Sequence, residues 1–200
     1  SAPASTPSDP RAQPRAVGEV RIIGGLWKRT RIPVADRPGL RPTPDRVRET
    51  VFNWLQFDIR GTHCLDMFAG SGALGAEALS RGADTCIFIE KNPAQAQYLQ
   101  QSLQAFGCTP TVLVGDSLQL LAQQKTPFDV VFLDPPYGLK LWQAACELLV
   151  THQLIHASSL IYIESDCEWA SLNLPPQWHC LKTTKAGTVH GFLAQYEFNL

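Results

Sequence analysis

The sequence lacks any apolar segment that could cross a membrane. Its longest apolar stretches, such as residues 130–133 and 160–163, are far shorter than the roughly 20 residues that a membrane-spanning helix needs. The first 16 residues have no apolar centre of the kind found in a secretory signal, and their Ser, Ala and Pro are typical of a disordered tail. We therefore expect a soluble, cytoplasmic protein without membrane contact, whose residues 1–17 lie outside the fold.

The sequence also lacks the spacings that mark metal sites and disulfide frameworks. Its six cysteines include no CxxC pair, and its five histidines form no cluster with ligand spacing. Most of the cysteines lie in apolar surroundings, as Cys86 does beside Ile87. We predict buried, reduced thiols, which are usual in a reducing cytosol, and no metal.

The net charge of -1 hides an uneven distribution of charge along the chain. Residues 1–60 contain 11 Lys and Arg against 6 Asp and Glu, whereas the remaining residues contain 6 against 12. The basic N-terminal part is therefore the candidate for contact with nucleic-acid phosphates. A solvated surface without a partner is the alternative that charge alone leaves open. The basic residues that we expect at the phosphates are Arg21, Lys28, Arg29, Arg31 and Arg41.

The segment after the tail predicts a small β-hairpin followed by a helix. Two short β-type runs flank Gly24 and Gly25, which is a hairpin signal. Residues 43–45 carry Thr, Pro and Asp as helix start signals, and the apolar residues after them recur at helical spacing. We assign residues 18–60 to this N-terminal basic hairpin and helix.

From residue 61 onward, apolar strands alternate with helices. The predicted strands are residues 64–68, 85–90, 111–114, 128–133 and 160–164, and the predicted helices are residues 73–80, 93–106 and 141–150. Two last β-type runs, residues 178–185 and 188–198, flank Gly187 and predict an antiparallel hairpin. Such alternation is typical of an α/β domain whose parallel sheet is covered on both faces. We assign residues 61–200 to this core.

A glycine-rich loop follows the first predicted strand of the core and indicates a bound nucleoside. Gly70 and Gly72 let the backbone turn sharply and approach a ligand closely. Ligands of doubly wound sheets lie at the carboxyl ends of the strands, so this loop should line a cofactor site. Glu90 ends the next strand, where its carboxylate can accept hydrogen bonds from both ribose hydroxyls.

The loop alone does not identify the nucleoside, because Gly70, Gly72 and Gly75 also match the fingerprint of NAD-binding proteins. Asp66 favours a cofactor that carries an amino acid, since its charge suits an ammonium group better than a pyrophosphate. Asp116 follows the third strand and could accept a hydrogen bond from an adenine amino group, or could simply cap a helix. The predicted cofactor residues are Asp66, Phe68, Ala69, Gly70, Ser71, Gly72, Glu90, Lys91, Asp116, Ser117 and Asp134.

The most informative segment follows the buried strand 128–133 and contains Asp134, Pro135, Pro136 and Tyr137. An exocyclic amino group on a base is a poor nucleophile because its lone pair is delocalised into the ring. The Asp134 carboxylate and the Pro135 carbonyl can accept both amino hydrogens, while the prolines fix the carbonyl direction. Tyr137 can stack on the base. These four residues are the predicted catalytic residues, although a stiff turn without a role is the alternative.

Four functions are compatible with these residues. The first is methylation of an exocyclic amino group of a base in RNA, and the second is methylation of the amino group of adenine in DNA. The latter enzymes ordinarily need a sizeable target-recognition domain, for which the sequence leaves no room. A non-catalytic, cofactor-binding RNA module is the third function, and an NAD-dependent oxidoreductase is the fourth. Binding of NAD and the effect of replacing Asp134 distinguish these functions.

The chain resembles the RsmD-type methyltransferases, which make N2-methylguanine in small-subunit ribosomal RNA. The resemblance extends from about Arg21 to Phe198 and rests on four motifs: Arg-Ile-Ile-Gly-Gly, Leu-Arg-Pro-Thr-Pro-Asp-Arg-Val-Arg-Glu-Thr-Val-Phe-Asn-Trp-Leu, Asp-Met-Phe-Ala-Gly-Ser-Gly-Ala-Leu-Gly and Leu-Asp-Pro-Pro-Tyr. The second motif is the specific one, because other amino methyltransferases share the rest. The family also uses Phe at the position of Tyr137, and either ring can stack.

This resemblance implies a Rossmann-like class I methyltransferase fold, with a seven-stranded, mostly parallel sheet and a reversed last strand. It implies S-adenosylmethionine as the cofactor, with S-adenosylhomocysteine as the product. The substrate would be 16S ribosomal RNA within the assembled or assembling 30S subunit, and we expect a monomeric enzyme. Thr43, Arg46 and Arg48 would close over the cofactor or the RNA, unless the two arginines belong to a solvated helix face.

Overall fold

The computed structural model describes residues 16–35, 43–136 and 141–199 of the chain. Strands β1 (Ala16–Arg21) and β2 (Arg31–Ala35) pair antiparallel, with Arg21 opposite Arg31. The predicted N-terminal hairpin is therefore confirmed, with residues 22–30 as its connecting loop. Residues 16 and 17 belong to β1, which corrects the predicted tail at its last two positions. The other residues of that tail lie outside the described part.

Helix α1 (Asp45–Trp54) follows, with Pro44 at its N-cap position. Val47, Val51 and Phe52 lie on its buried face, as the helical spacing of apolar residues predicts. The ring of Phe52 packs 5.7 Å from the ring of Phe132 in the central sheet, measured between centroids. The helix thus connects the hairpin with the core.

The core contains seven strands and four further helices. The strands are β3 (His63–Asp66), β4 (Thr85–Glu90), β5 (Thr111–Val114), β6 (Phe128–Leu133), β7 (Ile155–Ser165), β8 (Trp178–Ala186) and β9 (Val189–Tyr196). The helices are α2 (Ala73–Ser80), α3 (Pro93–Ala105), α4 (Ser117–Ala122) and α5 (Trp142–Thr151), and a short 3-10 helix spans Trp169–Leu172. No prediction had been made for α4, which is short and begins at the Asp116 cap.

The sheet order is β5-β4-β3-β6-β7-β9-β8, and β9 runs antiparallel to both of its neighbours. This confirms the mostly parallel seven-stranded sheet with a reversed last strand. The chain leaves β3 toward one side of the sheet and returns on the other side at β6. In doubly wound folds a ligand binds at such a switch point, outside the carboxyl ends of the strands.

Alternate residues of the central strands fill two separate apolar layers. On β6, Val130 and Phe132 pack in the layer of α1, α2 and α3, whereas Val131 and Leu133 pack in the layer of α4 and α5. A strand that is buried on both faces must be apolar along its length, which explains the continuous Val-Val-Phe-Leu run. Such a strand has few conformational alternatives, so it holds Asp134 at a fixed place.

None of the described helices has the length and apolar character needed to cross a membrane. All six cysteines are free thiols, and three of them, Cys64, Cys86 and Cys146, are buried. Burial raises the pKa of the Cys86 thiol well above its ordinary value, so the thiol stays protonated. The cysteines therefore contribute to packing as small apolar residues.

Gly75 permits the close packing of α2 on β4, and replacing it should weaken the fold. A Cβ atom at this position would lie 2.4 Å from Cε1 of Phe88 and 2.8 Å from Sγ of Cys86. We expect Gly75→Ala to lower the free energy of unfolding by about 1 kcal/mol or more, because overpacking outweighs the gain in helix propensity. Urea denaturation measures the change. Gly18→Ala is the control, since nothing lies within 4 Å of its added Cβ, and equal effects of the two changes would contradict the packing argument.

Candidate active site

The glycine loop crosses the carboxyl ends of the central strands. The Met67 amide donates to the Phe132 carbonyl at 3.0 Å, and the Ala69 amide donates to the Ile89 carbonyl at 2.8 Å. Gly70 and Gly72 then adopt φ values of 54° and 75°, in the left-handed region that favours glycine. The loop is thus fixed between strands on both sides of β3.

Two side chains from neighbouring elements hold this loop. The Glu90 carboxylate accepts hydrogen bonds from the amides of Gly70 at 2.9 Å and Asn92 at 3.0 Å. The fully buried Gln95 donates from Nε2 to the Gly70 carbonyl at 2.7 Å. Within the described residues, its Oε1 is a buried oxygen that has no hydrogen-bond partner. An unsatisfied acceptor of this kind costs free energy, and a ligand hydroxyl or amine would remove the cost.

Gln95 was missed by the sequence analysis. It lies in the first turn of α3, three positions after the Asn92 cap, whose side chain accepts a hydrogen bond from the Gln95 amide. Gln95 is identified by being a polar residue at a fully buried position. The sequence does not show this burial, because the apolar periodicity of α3 is not strong.

Asp66 lies at the end of β3 and anchors the start of α2. Its Oδ2 accepts a hydrogen bond from the Gly75 amide at 3.0 Å. Burial raises the pKa of the Asp66 carboxyl to about 7, and the Gly75 bond lowers it in part. A ligand ammonium beside this carboxylate would favour its charged form.

The remaining predicted cofactor residues lie along the same edge. Ser117 donates from its hydroxyl to the Met67 carbonyl at 2.9 Å, which connects α4 to the glycine loop. Asp116 caps α4, because its Oδ1 accepts from the Gln119 amide at 3.0 Å. The capping alternative for Asp116 is therefore present in the structure. Ala69 and Ser71 are buried, Phe68 is half-buried and Lys91 is exposed.

Asp134 and Pro135 follow β6 directly and lie beside Glu164 at the end of β7. Register pairs Leu133 with Ile163, so Asp134 and Glu164 leave neighbouring parallel strands at the same level. The two carboxyls lie close enough for each to perturb the pKa of the other. Burial, followed by the charge of Glu164, raises the pKa of Asp134 well above its usual range. Pro136 is exposed, and Tyr137 lies outside the described residues.

Glu164 was not predicted as a site residue, although it ends a buried strand just as Glu90 does. Burial raises the pKa of its carboxyl. Its Oε1 accepts a hydrogen bond from the Tyr162 hydroxyl at 2.8 Å, and its carbonyl accepts from Nε1 of Trp142 at 2.9 Å. The buried Thr43 lowers the pKa of both Glu164 and Asp134, so its hydroxyl lies close to both carboxyls. Thr43 therefore lies at the acid pair and is not on the surface.

The prediction that Arg48 contacts RNA is corrected by its burial, because its side chain is 0% exposed. Its Nη1 donates to the Arg21 carbonyl at 2.9 Å and to Oε1 of Glu77 at 3.2 Å, and its Nε donates to the Thr43 carbonyl at 3.3 Å. A guanidinium with these partners cannot reach a phosphate. Arg48 instead connects β1, the segment before α1, and α2.

Glu77 is the second charged residue that is fully buried in this region. Its carboxylate accepts hydrogen bonds from four donors, which are the amides of Ile23 and Gly24, Nη1 of Arg48 and Nε of Arg81. Ser80 adds to the attachment, since its carbonyl accepts from the Leu26 amide at 2.8 Å. The loop 22–30 is thereby fixed to the C-terminal turn of α2.

The other predicted RNA residues are exposed. Arg21 and Arg31 form surface ion pairs with Asp45 at 3.6 Å and with Glu19 at 3.0 Å. Lys28 and Arg29 lie exposed on the loop 22–30, and Arg41 lies outside the described residues. Arg46 donates from Nη2 to the Lys185 carbonyl at 3.1 Å.

Lys185 is a further basic residue at this edge that the sequence analysis missed. It pairs with His190 across the β8–β9 hairpin, whereas Gly191 pairs with Glu164 on β7. The turn of this hairpin therefore lies next to the acid pair. Lys185 is exposed, so its ammonium is accessible to a polyanion near the site.

Comparison with known proteins agrees with this geometry. The model of the family described as Conserved hypothetical protein 95 matches residues 20–195. The Ribosomal RNA small subunit methyltransferase D of Haemophilus influenzae is 45% identical over 181 residues, which cover 88% of this chain and 93% of that protein. The protein of the same name in Escherichia coli K12 is 43% identical, with 90% and 91% coverage.

Solved structures show the same fold. The Escherichia coli protein yhhF superimposes with a TM-score of 0.81 at 42% identity, covering 90% of this chain and 99% of that one. The protein SMU.776, solved in complex with SAH, superimposes with a TM-score of 0.65 at 11% identity, covering 82% and 53%. At such low identity the second similarity concerns the fold alone.

The buried Glu77 cluster should be essential for stability. We expect Glu77→Gln to lower the free energy of unfolding by about 3 kcal/mol, because the amide leaves Arg48 without its buried countercharge and cannot accept from all four donors. Urea denaturation followed by circular dichroism measures the change. Glu49→Gln, on the exposed side of α1, is the matched control and should change stability little. An effect of Glu77→Gln as small as that of the control would contradict this role.

Proposed function

The chain belongs to the Conserved hypothetical protein 95 family, and we propose from this that it transfers a methyl group from S-adenosylmethionine to the N2 amino group of a guanine in 16S ribosomal RNA. One observation carries the proposal. The Asp134–Pro135 segment and the glycine loop lie at the carboxyl ends of the adjacent strands β6 and β3. A base and a nucleoside cofactor bound there would meet at the switch point of the sheet.

The residues of the glycine loop fit an adenosine cofactor. The Glu90 carboxylate beside Gly70 suits the ribose hydroxyls, and the unsatisfied Oε1 of buried Gln95 suits a ligand donor at the same loop. Asp66 would face the amino-acid part and Asp116 the adenine. When bound, S-adenosylmethionine supplies an activated methyl group on a sulfonium cation. Phe68, Ala69, Ser71, Gly72, Lys91 and Ser117 complete the proposed cofactor set.

The residues after β6 would hold the substrate amino group. The Asp134 carboxyl and the Pro135 carbonyl can accept its two hydrogens, which draws the nitrogen toward tetrahedral geometry and orients its lone pair. Pro135 and Pro136 stiffen the segment and fix the carbonyl direction. Tyr137 would stack on the base. The protein therefore contributes mainly position, and the electrophile belongs to the cofactor.

The RNA would cross the exposed basic residues around the hairpin. Lys28 and Arg29 project from a loop that Glu77 holds firmly, so they would meet phosphates without first becoming ordered. Arg21 and Arg31 flank this loop. Arg46, which donates to the Lys185 carbonyl, and Lys185 itself lie beside the proposed active site. We further propose that a monomer acts on RNA within the assembled or assembling 30S subunit.

Methyl transfer tests the reaction. Labelled S-adenosylmethionine should transfer its methyl group to small subunits, or to naked ribosomal RNA, from a strain without the enzyme, and nucleoside analysis should find N2-methylguanine. Asp134→Ala should reduce the rate by about a hundredfold or more, because the amino group loses its acceptor. It should still bind S-adenosylhomocysteine, which isothermal titration calorimetry measures. Label in adenine of DNA would favour the DNA methyltransferase, and unchanged RNA function of Asp134→Ala would favour the non-catalytic module.

Salt dependence tests the RNA surface. RNA affinity should fall steeply as salt rises, and Lys28→Ala should reduce the slope of log affinity against log salt by about one unit, since one phosphate contact is lost. Fluorescence anisotropy with labelled RNA measures both slopes. Lys125→Ala is the matched control, because Lys125 is exposed at the opposite edge, before the amino end of β6. If both variants keep the original slope, the RNA binds elsewhere.

A further inference from the structure

The buried acid pair has a feature that positioning of the amino group does not explain. The Asp134 carboxyl and the Pro135 carbonyl can already accept both amino hydrogens, yet a second carboxyl, that of Glu164, lies beside the half-buried Asp134 and is itself buried, with 3% of the residue exposed. Two adjacent carboxyls in a buried site resist carrying two negative charges, because each charge and the loss of water disfavour the ionised forms. Such a pair therefore keeps a proton to a higher pH than a solvated carboxyl does.

The surroundings of the pair contain acids and hydroxyls. Asp66 on β3 adds a further negative charge, and the Tyr162 and Thr43 hydroxyls bond to the pair. The guanidinium of Arg48 forms ion pairs with Glu77 and Asp45, and near the acid pair it contacts the Thr43 carbonyl. His190 on β9 lies opposite Ser165 on β7. Among the described residues, no ion pair joins either carboxyl to a lysine or an arginine.

Buried acids without a cation are usually costly, so a pair of them suits a ligand that brings the positive charge. We propose that Glu164, through its shared proton with Asp134, makes the site prefer the cationic methyl donor to the neutral product. The inference rests on the proposed function, because the cation it invokes is the sulfonium of S-adenosylmethionine. Glu164 is then a specificity-determining residue that acts through Asp134. When the cation binds, the shared proton leaves to solvent, and it returns to the pair when the neutral product remains.

The direction of the pH effect follows from the raised pKa values of both carboxyls. Without a ligand, the pair keeps its proton well above the ordinary pKa of an aspartate. A nearby cation favours the ionised form and lowers the pKa of the pair. The affinity for S-adenosylmethionine should therefore rise with pH across the neutral range, by up to about tenfold per pH unit, with the release of about one proton. S-adenosylhomocysteine has a neutral sulfur, so its affinity should rise less steeply with pH.

Isothermal titration calorimetry in pairs of buffers with different ionisation enthalpies counts the released protons directly. For the wild type we expect about one proton more with S-adenosylmethionine than with S-adenosylhomocysteine at neutral pH, because any proton that Asp66 loses beside the ligand ammonium is common to both ligands. Glu164→Gln should abolish this difference and reduce the pH dependence of S-adenosylmethionine binding to that of S-adenosylhomocysteine. The preference for the methyl donor should fall by about tenfold, the lower end of what an opposite charge does to a carboxyl pKa. The affinity for S-adenosylhomocysteine should stay unchanged.

Tyr162→Phe is a second variant that keeps the test decisive if Glu164→Gln does not fold. The Tyr162 hydroxyl stabilises the charged form of Glu164, so its loss should shift the pH midpoint of S-adenosylmethionine binding upward and leave S-adenosylhomocysteine unaffected. Thermal unfolding without ligand identifies variants that are merely misfolded.

Two outcomes would overturn the inference. Proton release that is equal for both ligands would identify Asp66 as its source, because both ligands carry the same amino-acid group. Undiminished release in a folded Glu164→Gln would show that the pair does not hold the proton. Failure of the proposed function differs from both outcomes, since it appears as absent methyl transfer to ribosomal RNA, or as absent binding of either ligand, and not as a changed proton count.

Discussion

The structure depends on one buried carboxylate, that of Glu77. It lies in α2, the eight-residue helix that begins at the glycine loop, and its four donors come from the hairpin loop, from α1 and from Arg81 at the C-cap of α2. A buried charge is tolerable only when it is fully paired, and here the pairing joins the hairpin loop, α1 and α2. The proposed cofactor loop and the proposed RNA loop are therefore attached to opposite ends of one short helix, and neither can shift without the other.

Much of the fold could be predicted because its elements follow simple patterns. Strands β4, β5 and β6 and helix α2 have the predicted bounds, since apolar runs and glycines mark where they begin and end. The partners of buried polar residues could not be predicted in this way. Glu77 meets Ile23 across 54 positions of sequence, and Arg48 looked like a solvated basic residue in a basic segment. Periodicity indicates which face is buried, but it does not show which polar groups share that face.

Four acids lie at or just beyond the ends of parallel strands, and their surroundings distinguish them. Glu90 is bonded to the backbone of the glycine loop, and Asp66 to the start of α2. The carboxyls of Asp134 and Glu164 interact with each other. A sequence shows four similar acids at the ends of four strands, whereas the structure gives them different hydrogen-bond donors and neighbours. Acids at equivalent ends of parallel strands therefore have different surroundings in the site.

The position of β9 has a consequence for how the protein is made. In the described sheet β8 pairs with β9 alone, and β9 pairs with β7, so β8 cannot join the sheet before residues 189–196 have been synthesised. Until then β7 is an exposed edge that invites pairing with another chain. Glu164 also lacks its β-sheet partner until then, because Gly191 of β9 pairs with it. A nascent chain therefore lacks a complete site until residues 189–196 have left the ribosome and β9 has paired with β7.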